Sequence, residues 1–304
     1  MLELLSKPLV VVTGKGGVGK STVAAALGLA AAARGKRTII AEVSARDDVW
    51  QVIGDAGQPS TFIERRMRDR LHHISIDPES ALEEYLHDQL PRGVSDLLAA
   101  SRLFSYLAAA TPGLRELLTI GKVWELAQER RRTRGGKPYD LVILDAPATG
   151  HGVAVLAAPK TFAQAARVGP VARQGSIIHG MLADPEQTAI VAVARPEEMP
   201  VNETLSLERA LRDQLGQRLA AVIVNGMLPD RFSAAENERL AAAPPSRAVR
   251  AARTLAARSR RQRAQAARLR RGLAGVPVRS LPFLFTPTVG AEDLDRLARE
   301  LARS

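Results

Sequence analysis

Residues 13–22 read T-G-K-G-G-V-G-K-S-T, and this stretch constrains the fold more than any other part of the chain. It matches the phosphate-binding pattern of a glycine, four residues, then Gly-Lys and Ser or Thr. The run 9–12 before it is apolar and β-branched, which predicts a buried strand. The Ala-rich run 23–31 after it predicts a helix. A strand, a glycine-rich loop and a helix in this order predict an α/β fold with a nucleotide site near its beginning.

The chemistry of this loop follows from its residue types. Glycines lack Cβ atoms, so they can turn successive N–H groups inward around an anion. The helix is predicted to begin near Lys20, whose ammonium group can reach the β- and γ-phosphates, while the Ser21 hydroxyl can ligate Mg²⁺. The predicted ligands are ATP or ADP and Mg²⁺. The predicted binding residues of the loop are Gly14, Lys15, Gly16, Gly17, Val18, Gly19, Lys20, Ser21 and Thr22.

Six further runs predict strands, and helical stretches separate most of them. They are 37–43, 71–76, 141–144, 188–194, 220–225 and 278–282. Unbroken apolar strands that alternate with helices are typical of a parallel sheet covered on both faces. The predicted fold is therefore α/β, a mostly parallel, doubly wound sheet of the P-loop NTPase type, in a single domain over residues 1–304.

Residues 79 to about 132 interrupt this alternation, because strand signals vanish and helix formers dominate. We interpret the segment as a helical subdomain inserted over one edge of the sheet. Its large apolar side chains are predicted either to form a small core or to line a groove for a partner. These side chains are Leu97, Leu98, Leu103, Phe104, Tyr106 and Leu107.

The net charge of +11 is concentrated in one segment. Residues 246–272 contain ten arginines and no acidic residue, so the rest of the chain is close to neutral. The Arg/Ala-rich sequence predicts a long exposed helix or a helical hairpin. It is either a solvated face or a contact surface for nucleic acid, acidic lipid headgroups or an acidic partner. Few aromatic residues are interleaved, which disfavours stacking on single-stranded nucleic acid.

The chain contains no cysteine, so disulfides and thiolate metal sites, including a cysteine zinc site, are excluded. Residues 1–8 lack the layout of a signal peptide, and no uninterrupted apolar stretch reaches the length needed to span a membrane. We therefore expect a cytoplasmic protein.

A second motif, L-D-A-P-A-T-G-H-G, occupies residues 144–152 at the end of the predicted strand 141–144. A carboxylate at the carboxyl end of a strand beside the phosphate loop is placed to hold Mg²⁺, which indicates Asp145. Gly150 and Gly152 are predicted to permit a loop that moves when the γ-phosphate is present or absent.

This D-x-P-x-T-G-H pattern, with a lysine directly after the first glycine of the phosphate loop, resembles the ArsA-type ATPases. These include the arsenite-pump and tail-anchored-protein targeting ATPases. The resemblance covers nearly the whole chain and is greatest to bacterial anion-transporting ATPase homologues that occur as paired subunits. It implies that Lys15 reaches across a dimer interface to the partner's nucleotide. It also implies that Asp145 is the Walker B residue and that Gly150 senses the γ-phosphate.

The resemblance carries further expectations for the adenine end and for partners. Asn225 is implied to read the adenine edge, which an amide can do because it both donates and accepts hydrogen bonds. Pro282 and Phe283 are implied to lie in the loop that covers adenine. The protein is expected to be a homodimer or a heterodimer with a paralogous ATPase subunit, with a membrane protein or transporter as a further candidate partner.

The resemblance fails in the segment after the second predicted strand. The family places an Asp there that orients the attacking water, whereas Ser44 takes that position here. A serine hydroxyl is a weak base at neutral pH and cannot replace a carboxylate. Three alternatives remain open: Glu42, Asp47 or Asp48 substitutes, hydrolysis is slow, or a partner subunit completes the site.

The sequence therefore predicts an ATP-hydrolysing dimeric switch of the ArsA type, coupled to a transport or protein-handling partner. One alternative is a MinD/ParA-like positioning ATPase that acts on membrane or DNA through the Arg-rich segment. Another is a nucleotide-binding regulatory subunit that hydrolyses weakly, which the serine in switch I would explain. Nucleic acid is the least favoured partner.

Overall fold

A computed structural model of the chain describes residues 3–43, 48–53, 61–89, 111, 113–132, 136–166 and 169–303, without the side chains of 88–89, 149–151 and 170–171. The strands are β1 Leu9–Gly14, β2 Thr38–Glu42, β3 Arg65–Arg68, β4 Leu71–Ser75, β5 Leu141–Ala148, β6 Thr188–Ala194, β7 Ala221–Met227 and β8 Val278–Pro282. They form one sheet in the order β3-β4-β2-β5-β1-β6-β7-β8. All neighbouring pairs are parallel except β3 and β4.

Helices cover both faces of this sheet. They are α1 Lys20–Ala32, α2 Asp48–Ile53, α3 Pro78–Gln89, α4 Leu114–Leu126, α5 Thr149–Ala166, α6 Pro170–Ala183, α7 Glu198–Leu215, α8 Ala234–Ala242, α9 Arg247–Gly272 and α10 Ala291–Ala302. A short 3-10 helix, Leu4–Ser6, precedes β1. Of the helices in the described ranges, none combines the length and the hydropathy needed to cross a bilayer.

The central strand β1 explains why the sheet needs helices on both sides. Val10 and Val12 point into a core shared with α1 and α10, whereas Leu9 and Val11 point into a second core shared with α4 to α7. All four side chains are almost completely buried. A strand buried on both faces must be apolar at every position, and this is why an unbroken apolar run identified it. The predicted α/β class and the mostly parallel sheet are confirmed.

The edge strand β3 was not predicted, and its sequence explains why. It reads R-R-M-R, and Met67 is its one buried residue. A strand at the edge of a sheet needs no apolar run, because much of its side-chain surface meets solvent. β3 pairs antiparallel with β4 through the short turn at Asp69 and Arg70, where Arg70 adopts a positive φ of 55°.

Helices α3 and α4 lie where the sequence predicted the helical insertion. The chain enters α3 at Pro78, after Asp77 has accepted hydrogen bonds from the backbone N–H and the hydroxyl of Ser80. Such a cap satisfies an N–H group that a helix start leaves without a partner. The candidate core or groove residues, Leu97, Leu98, Leu103, Phe104, Tyr106 and Leu107, lie outside the described residues.

A buried ion-pair cluster joins the turn after α4 to the rest of the domain. The Arg131 side chain is 1% exposed and donates hydrogen bonds to Glu64 at 2.6 Å and to Glu125 at 2.8 Å. The Tyr139 hydroxyl donates a further hydrogen bond to Glu64 at 2.7 Å. Burial alone would raise the pKa of both carboxyl groups, but the hydrogen bonds and charge of Arg131, with help from Tyr139 at Glu64 and from the Lys122 charge, outweigh burial and hold each pKa below its ordinary value.

We expect Arg131→Met to lower the free energy of unfolding by about 3 kcal/mol at pH 7, because it removes the ion-pair partner of the half-buried Glu64 and leaves the buried Glu125 with only its Lys122 ion pair among the described residues. Urea titration measures this loss. Arg130→Met is the matched control, since Arg130 is exposed and has no ion pair with another described residue, and its stability should equal that of the wild type.

The pH dependence gives an independent check on the same cluster. A lowered folded-state pKa stabilises the fold above the ordinary value of 4.5, and this stabilisation is lost as the pH falls through the folded-state values. The difference in free energy of unfolding between wild type and Arg131→Met should therefore be largest at pH 7 and should become smaller below about pH 4.5. A gap that stays constant with pH would show that the variant lost packing rather than charge compensation.

Candidate nucleotide site

The phosphate loop connects β1 to α1, and α1 begins at Lys20 as predicted. Three glycines in and beside the loop have positive φ angles: 148° at Gly14, 77° at Gly17 and 90° at Gly19. A Cβ atom on Gly14 would collide with the carbonyl oxygen of Val193, and one on Gly19 would collide with the amide of Asn225. Two of these positions therefore require glycine for space as well as for backbone conformation.

Lys20 lies on the inner side of this loop. Its ammonium group donates a long hydrogen bond of 3.4 Å to the carbonyl oxygen of Lys15. Burial lowers the pKa of Lys20, and the negative charges of Asp145 and Asp48 act in the opposite direction. The lysine therefore lies within the electrostatic influence of two carboxylates at the carboxyl edge of the sheet, where an anionic ligand would meet the first turn of α1.

Asp145 lies beside Ser21, and together they have the donor set of a magnesium site. Asp145 is 6% exposed and hydrogen-bonded to the Ser21 hydroxyl, while its Oδ1 atom is buried without a partner among the described residues. Burial raises the pKa of Asp145 to about 7; the Ser21 hydrogen bond opposes this rise and the nearby Glu42 charge adds to it. An unpartnered buried oxygen fits a cation, so both residues fit Mg²⁺.

The described residues contain no group of three His, Cys, Asp or Glu side chains that could enclose a metal on their own. Mg²⁺ at nucleotide sites commonly takes only one or two protein ligands and completes its shell with phosphate and water. A hydroxyl and a single carboxylate are therefore sufficient here.

Glu42 was one of the candidates for orienting water, and the structure gives it other contacts. Its side chain is 0% exposed, and its two oxygens accept the backbone N–H groups of Asp48 at 2.7 Å and Val49 at 3.1 Å. His73 Nε2 lies 3.0 Å from Oε2. Glu42 thus holds the N-terminus of α2, a contact that spans six residues and that no local pattern would have shown. Ser44 and Asp47 lie outside the described residues.

The second motif differs in shape from the expectation. Gly150 and Gly152 were predicted in a mobile loop, but β5 extends to Ala148 and α5 begins directly at Thr149. The two glycines therefore lie in the first turn of a helix. A Cβ atom on Gly152 would collide with the Thr13 hydroxyl and the Pro147 carbonyl oxygen, so close packing on β1 explains this glycine.

Lys15 contacts a carboxylate of its own chain. Its ammonium group forms an ion pair with Glu203, which lies in α7. The two side chains are 34% and 32% exposed. The residues are 188 positions apart in sequence, so no spacing rule could have paired them.

The predicted adenine-binding residues meet at the ends of β7 and β8. The Asn225 side-chain amide donates a hydrogen bond of 2.9 Å to the Val18 carbonyl oxygen, which fixes it against the phosphate loop. Pro282 ends β8, and the Phe283 N–H donates to the Met227 carbonyl oxygen at 2.8 Å. The ring of Phe283 packs edge-on against Phe285 at 5.0 Å. The structure thus brings the phosphate loop, Asn225 and Phe283 to one edge of the sheet.

The fold and the loop at this edge define a P-loop nucleotide-binding protein. The sequence profile described as anion-transporting ATPase (ArsA_ATPase) matches residues 7–174 and 170–303, and the chain belongs to this family of ATPases. The resemblance drawn from the two motifs is thereby confirmed.

Curated relatives agree with this assignment. The chain is 35% identical over 239 residues to ATPase BagA of Mycobacterium tuberculosis, an alignment that covers 75% of this chain and 69% of that protein. It is 28% identical over 260 residues to an arsenical pump-driving ATPase of Escherichia coli, covering 76% of this chain and 41% of that protein. A protein of the same name from Acidiphilium multivorum is 28% identical over 265 residues, covering 78% of this chain and 42% of that protein.

The raised pKa of Asp145 predicts how pH affects the stability of the protein without nucleotide or metal. A carboxyl group whose pKa rises on folding from 3.8 to about 7 destabilises the fold progressively between these two values. We expect Asp145→Asn to remove this penalty, which amounts to at most about 4 kcal/mol. The free energy of unfolding of Asp145→Asn should therefore exceed that of the wild type at pH 8, and the difference should shrink toward pH 4.

Urea titrations at several pH values test this, with Asp213→Asn as the control because Asp213 is exposed. If the difference between Asp145→Asn and wild type were the same at pH 8 and at pH 4, Asp145 would not be a desolvated carboxylate.

Proposed function

We propose that the chain binds MgATP and hydrolyses it as a dimeric switch ATPase that drives a transport or protein-handling partner. The observation that carries the proposal is the unpartnered Asp145 oxygen, which lies beside Ser21 and near Lys20 at the start of α1. Names that describe relatives as pump-driving ATPases support a membrane protein or transporter as the partner.

Each group at the phosphate end has a role in this proposal. The loop N–H groups and the first turn of α1 bind the phosphates, and Lys20 approaches the β- and γ-phosphates. Ser21 and Asp145 hold Mg²⁺, which supplies charge neutralisation on the β- and γ-phosphate oxygens when it is bound. Gly150 reports the γ-phosphate through the start of α5, because β5 carries Asp145 and leads directly into that helix.

The adenine end has a role of its own. Asn225 is fixed against the loop by its bond to Val18 and presents the rest of its amide to the base edge. Pro282 and Phe283 cover the base, since the backbone bond from Phe283 to Met227 holds this turn beside the end of β7.

We further propose that Lys15 acts across a dimer interface, and that its pairing with Glu203 belongs to the resting state. A lysine engaged with a carboxylate of its own chain cannot at the same time reach a partner's nucleotide. The phosphate charge of the partner's ATP would compete with Glu203 for the ammonium group. Both side chains are about one-third exposed, so the ion pair is weak enough to exchange.

Sedimentation velocity across a range of ATP concentrations, together with phosphate release, tests this arrangement. Lys15→Ala should abolish ATP-dependent dimerisation and lower turnover at least about tenfold, because it removes a charge that acts in the transition state. Glu203→Gln should lower the ATP concentration needed for dimerisation about two- to fivefold, as expected for loss of a partly exposed ion pair.

Glu198→Gln is the control for Glu203→Gln, because Glu198 lies on the same helix, is exposed and has no ion pair with another described residue. Unchanged dimerisation in both Lys15→Ala and Glu203→Gln would contradict a role for Lys15 across the interface.

We propose that Asp48 orients the attacking water. Its negative charge acts on both Lys20 and Asp145, so it lies close enough to contribute to the electrostatics of the phosphate end of the site. Asp48 is the first residue of α2, and the two Glu42 oxygens hold this helix start in place. Glu42 then acts as a positioning residue, and Asp48 takes over the task that the serine at position 44 cannot perform.

Kinetics and stability separate these two roles. Asp48→Asn should lower single-turnover ATP hydrolysis about 100-fold while leaving ATP affinity within about threefold of the wild type. Glu42→Gln should mainly lower thermal stability, because it weakens a buried acceptor that holds α2. Asp213→Asn serves as the surface control. Wild-type turnover in Asp48→Asn would contradict the role of Asp48 in orienting water and would favour a site completed by a partner subunit.

A further inference from the structure

The Arg-rich helix α9 is anchored to the sheet by only its second half. The Ser259 hydroxyl donates to the Pro229 carbonyl oxygen at 3.2 Å, and the Leu228 N–H donates to Gln262 Oε1 at 2.8 Å. Leu228 and Pro229 directly follow the carboxyl end of β7, and α9 runs back from this level toward the start of β8. Residues 247–258 therefore extend about 18 Å beyond the carboxyl edge, at 1.5 Å per residue.

Several arginines of α9 have structural partners. Arg253 donates to the carbonyl oxygens of Leu240, Ala241 and Ala243 and so caps the C-terminus of α8. Arg260 donates to Asn237 Oδ1 at 3.1 Å. These bonds fasten α8 along one flank of α9, so the projecting segment is a braced pair of helices.

Four other arginines form a separate surface, which we call the basic ridge: Arg247, Arg250, Arg258 and Arg261. All four are exposed, and their guanidinium groups have no hydrogen bond or ion pair with any residue that the structure describes. At 100° per residue they fall within a sector about 80° wide, and they span about 21 Å along the helix. The ridge is thus a narrow, straight row of uncompensated positive charge.

We propose that the basic ridge adsorbs to the surface of a lipid bilayer that carries anionic headgroups. A narrow row of exposed positive charge about 21 Å long is complementary to the flat array of negative charge that anionic headgroups form. The ridge has no large apolar side chain, because Leu255 is half-buried and lies outside this sector. Adsorption is therefore electrostatic and reversible, without insertion of the helix into the acyl region.

The flank occupied by α8 decides between a membrane and a nucleic-acid groove. A helix that enters a groove presents side chains to both walls. Here α8 covers one side of α9, and Arg253 and Arg260 are committed to it. The exposed charge is left on one sector, and this suits a flat anionic surface better than a groove.

The experiment measures co-sedimentation of the full chain with two kinds of vesicle: phosphatidylcholine alone, and phosphatidylcholine with about one-third phosphatidylglycerol. We expect binding only to the anionic vesicles, and we expect it to weaken strongly between about 0.1 M and 0.5 M salt. Each arginine near such a surface contributes about fivefold in affinity, so removing all four should weaken binding about 100- to 1000-fold.

The test variant replaces the four ridge arginines by glutamine. The matched control removes the same charge from four exposed arginines elsewhere, Arg66→Gln, Arg209→Gln, Arg296→Gln and Arg299→Gln. The control should retain vesicle affinity within about tenfold of the wild type, since only charges near the membrane surface contribute fully. Both variants should keep the wild-type melting temperature, because exposed side chains are changed.

Three results would overturn the proposal. The wild type could fail to bind the anionic vesicles, or the ridge variant and the control could lose affinity equally. The third is that duplex DNA binds more tightly than the vesicles and displaces the protein from them, which would make nucleic acid the partner.

Discussion

Two carboxylates, Glu42 and Asp145, lie side by side in the register of β2 and β5 with almost no solvent contact, and the nucleotide edge depends on how each is compensated. Two like charges so near each other in a buried place destabilise the fold unless each has a compensating partner. The protein compensates Glu42 with its own groups, two backbone N–H donors and His73. Asp145 has the Ser21 hydroxyl but keeps one oxygen without a partner among the described residues. The two carboxylates therefore have different roles. Glu42 stabilises the fold, whereas Asp145 keeps an oxygen that can bind a cation arriving with a nucleotide.

The compensated carboxylate also explains the position of the next acidic residue. Because Glu42 accepts the first N–H groups of α2, that helix begins at a fixed distance from the sheet edge. Its first side chain, Asp48, then acts electrostatically on both Lys20 and Asp145. A substitution of Glu42 would therefore affect the phosphate site by shifting α2 and with it Asp48. The Glu42 carboxylate itself has no free oxygen to offer a ligand.

Local patterns predicted the elements that are themselves locally determined. The run 9–12, the glycine loop and the Ala-rich helix are adjacent in sequence, and their apolar and glycine positions follow from burial on two faces and from positive φ angles. Contacts between distant positions were beyond such reasoning. The ion pair of Lys15 with Glu203 and the bond from Asn225 to Val18 each join residues about 200 positions apart, so only the completed sheet brings them together. β3 was missed for another reason, since an edge strand of arginines carries no apolar signal.

The same distinction applies to the net charge. The sequence shows that the excess of arginine lies in one segment. It does not show which of these arginines bind other parts of the chain and which stay exposed to a ligand. In the folded chain Arg253, Arg260, Arg263 and Arg268 are engaged with α8, Asp230 and Asn202. Arg270 and Arg271 lie in the last turn of α9, where the helix dipole favours cations. The remaining arginines are those of the basic ridge.

Because α9 is continuous and its second half is fixed by Ser259 and Gln262, the direction of that row is set by the sheet rather than by a flexible linker. The anchoring contacts lie at the carboxyl end of β7, so the row projects from the same end of the domain as the phosphate loop. Any anionic surface bound there would face the nucleotide edge.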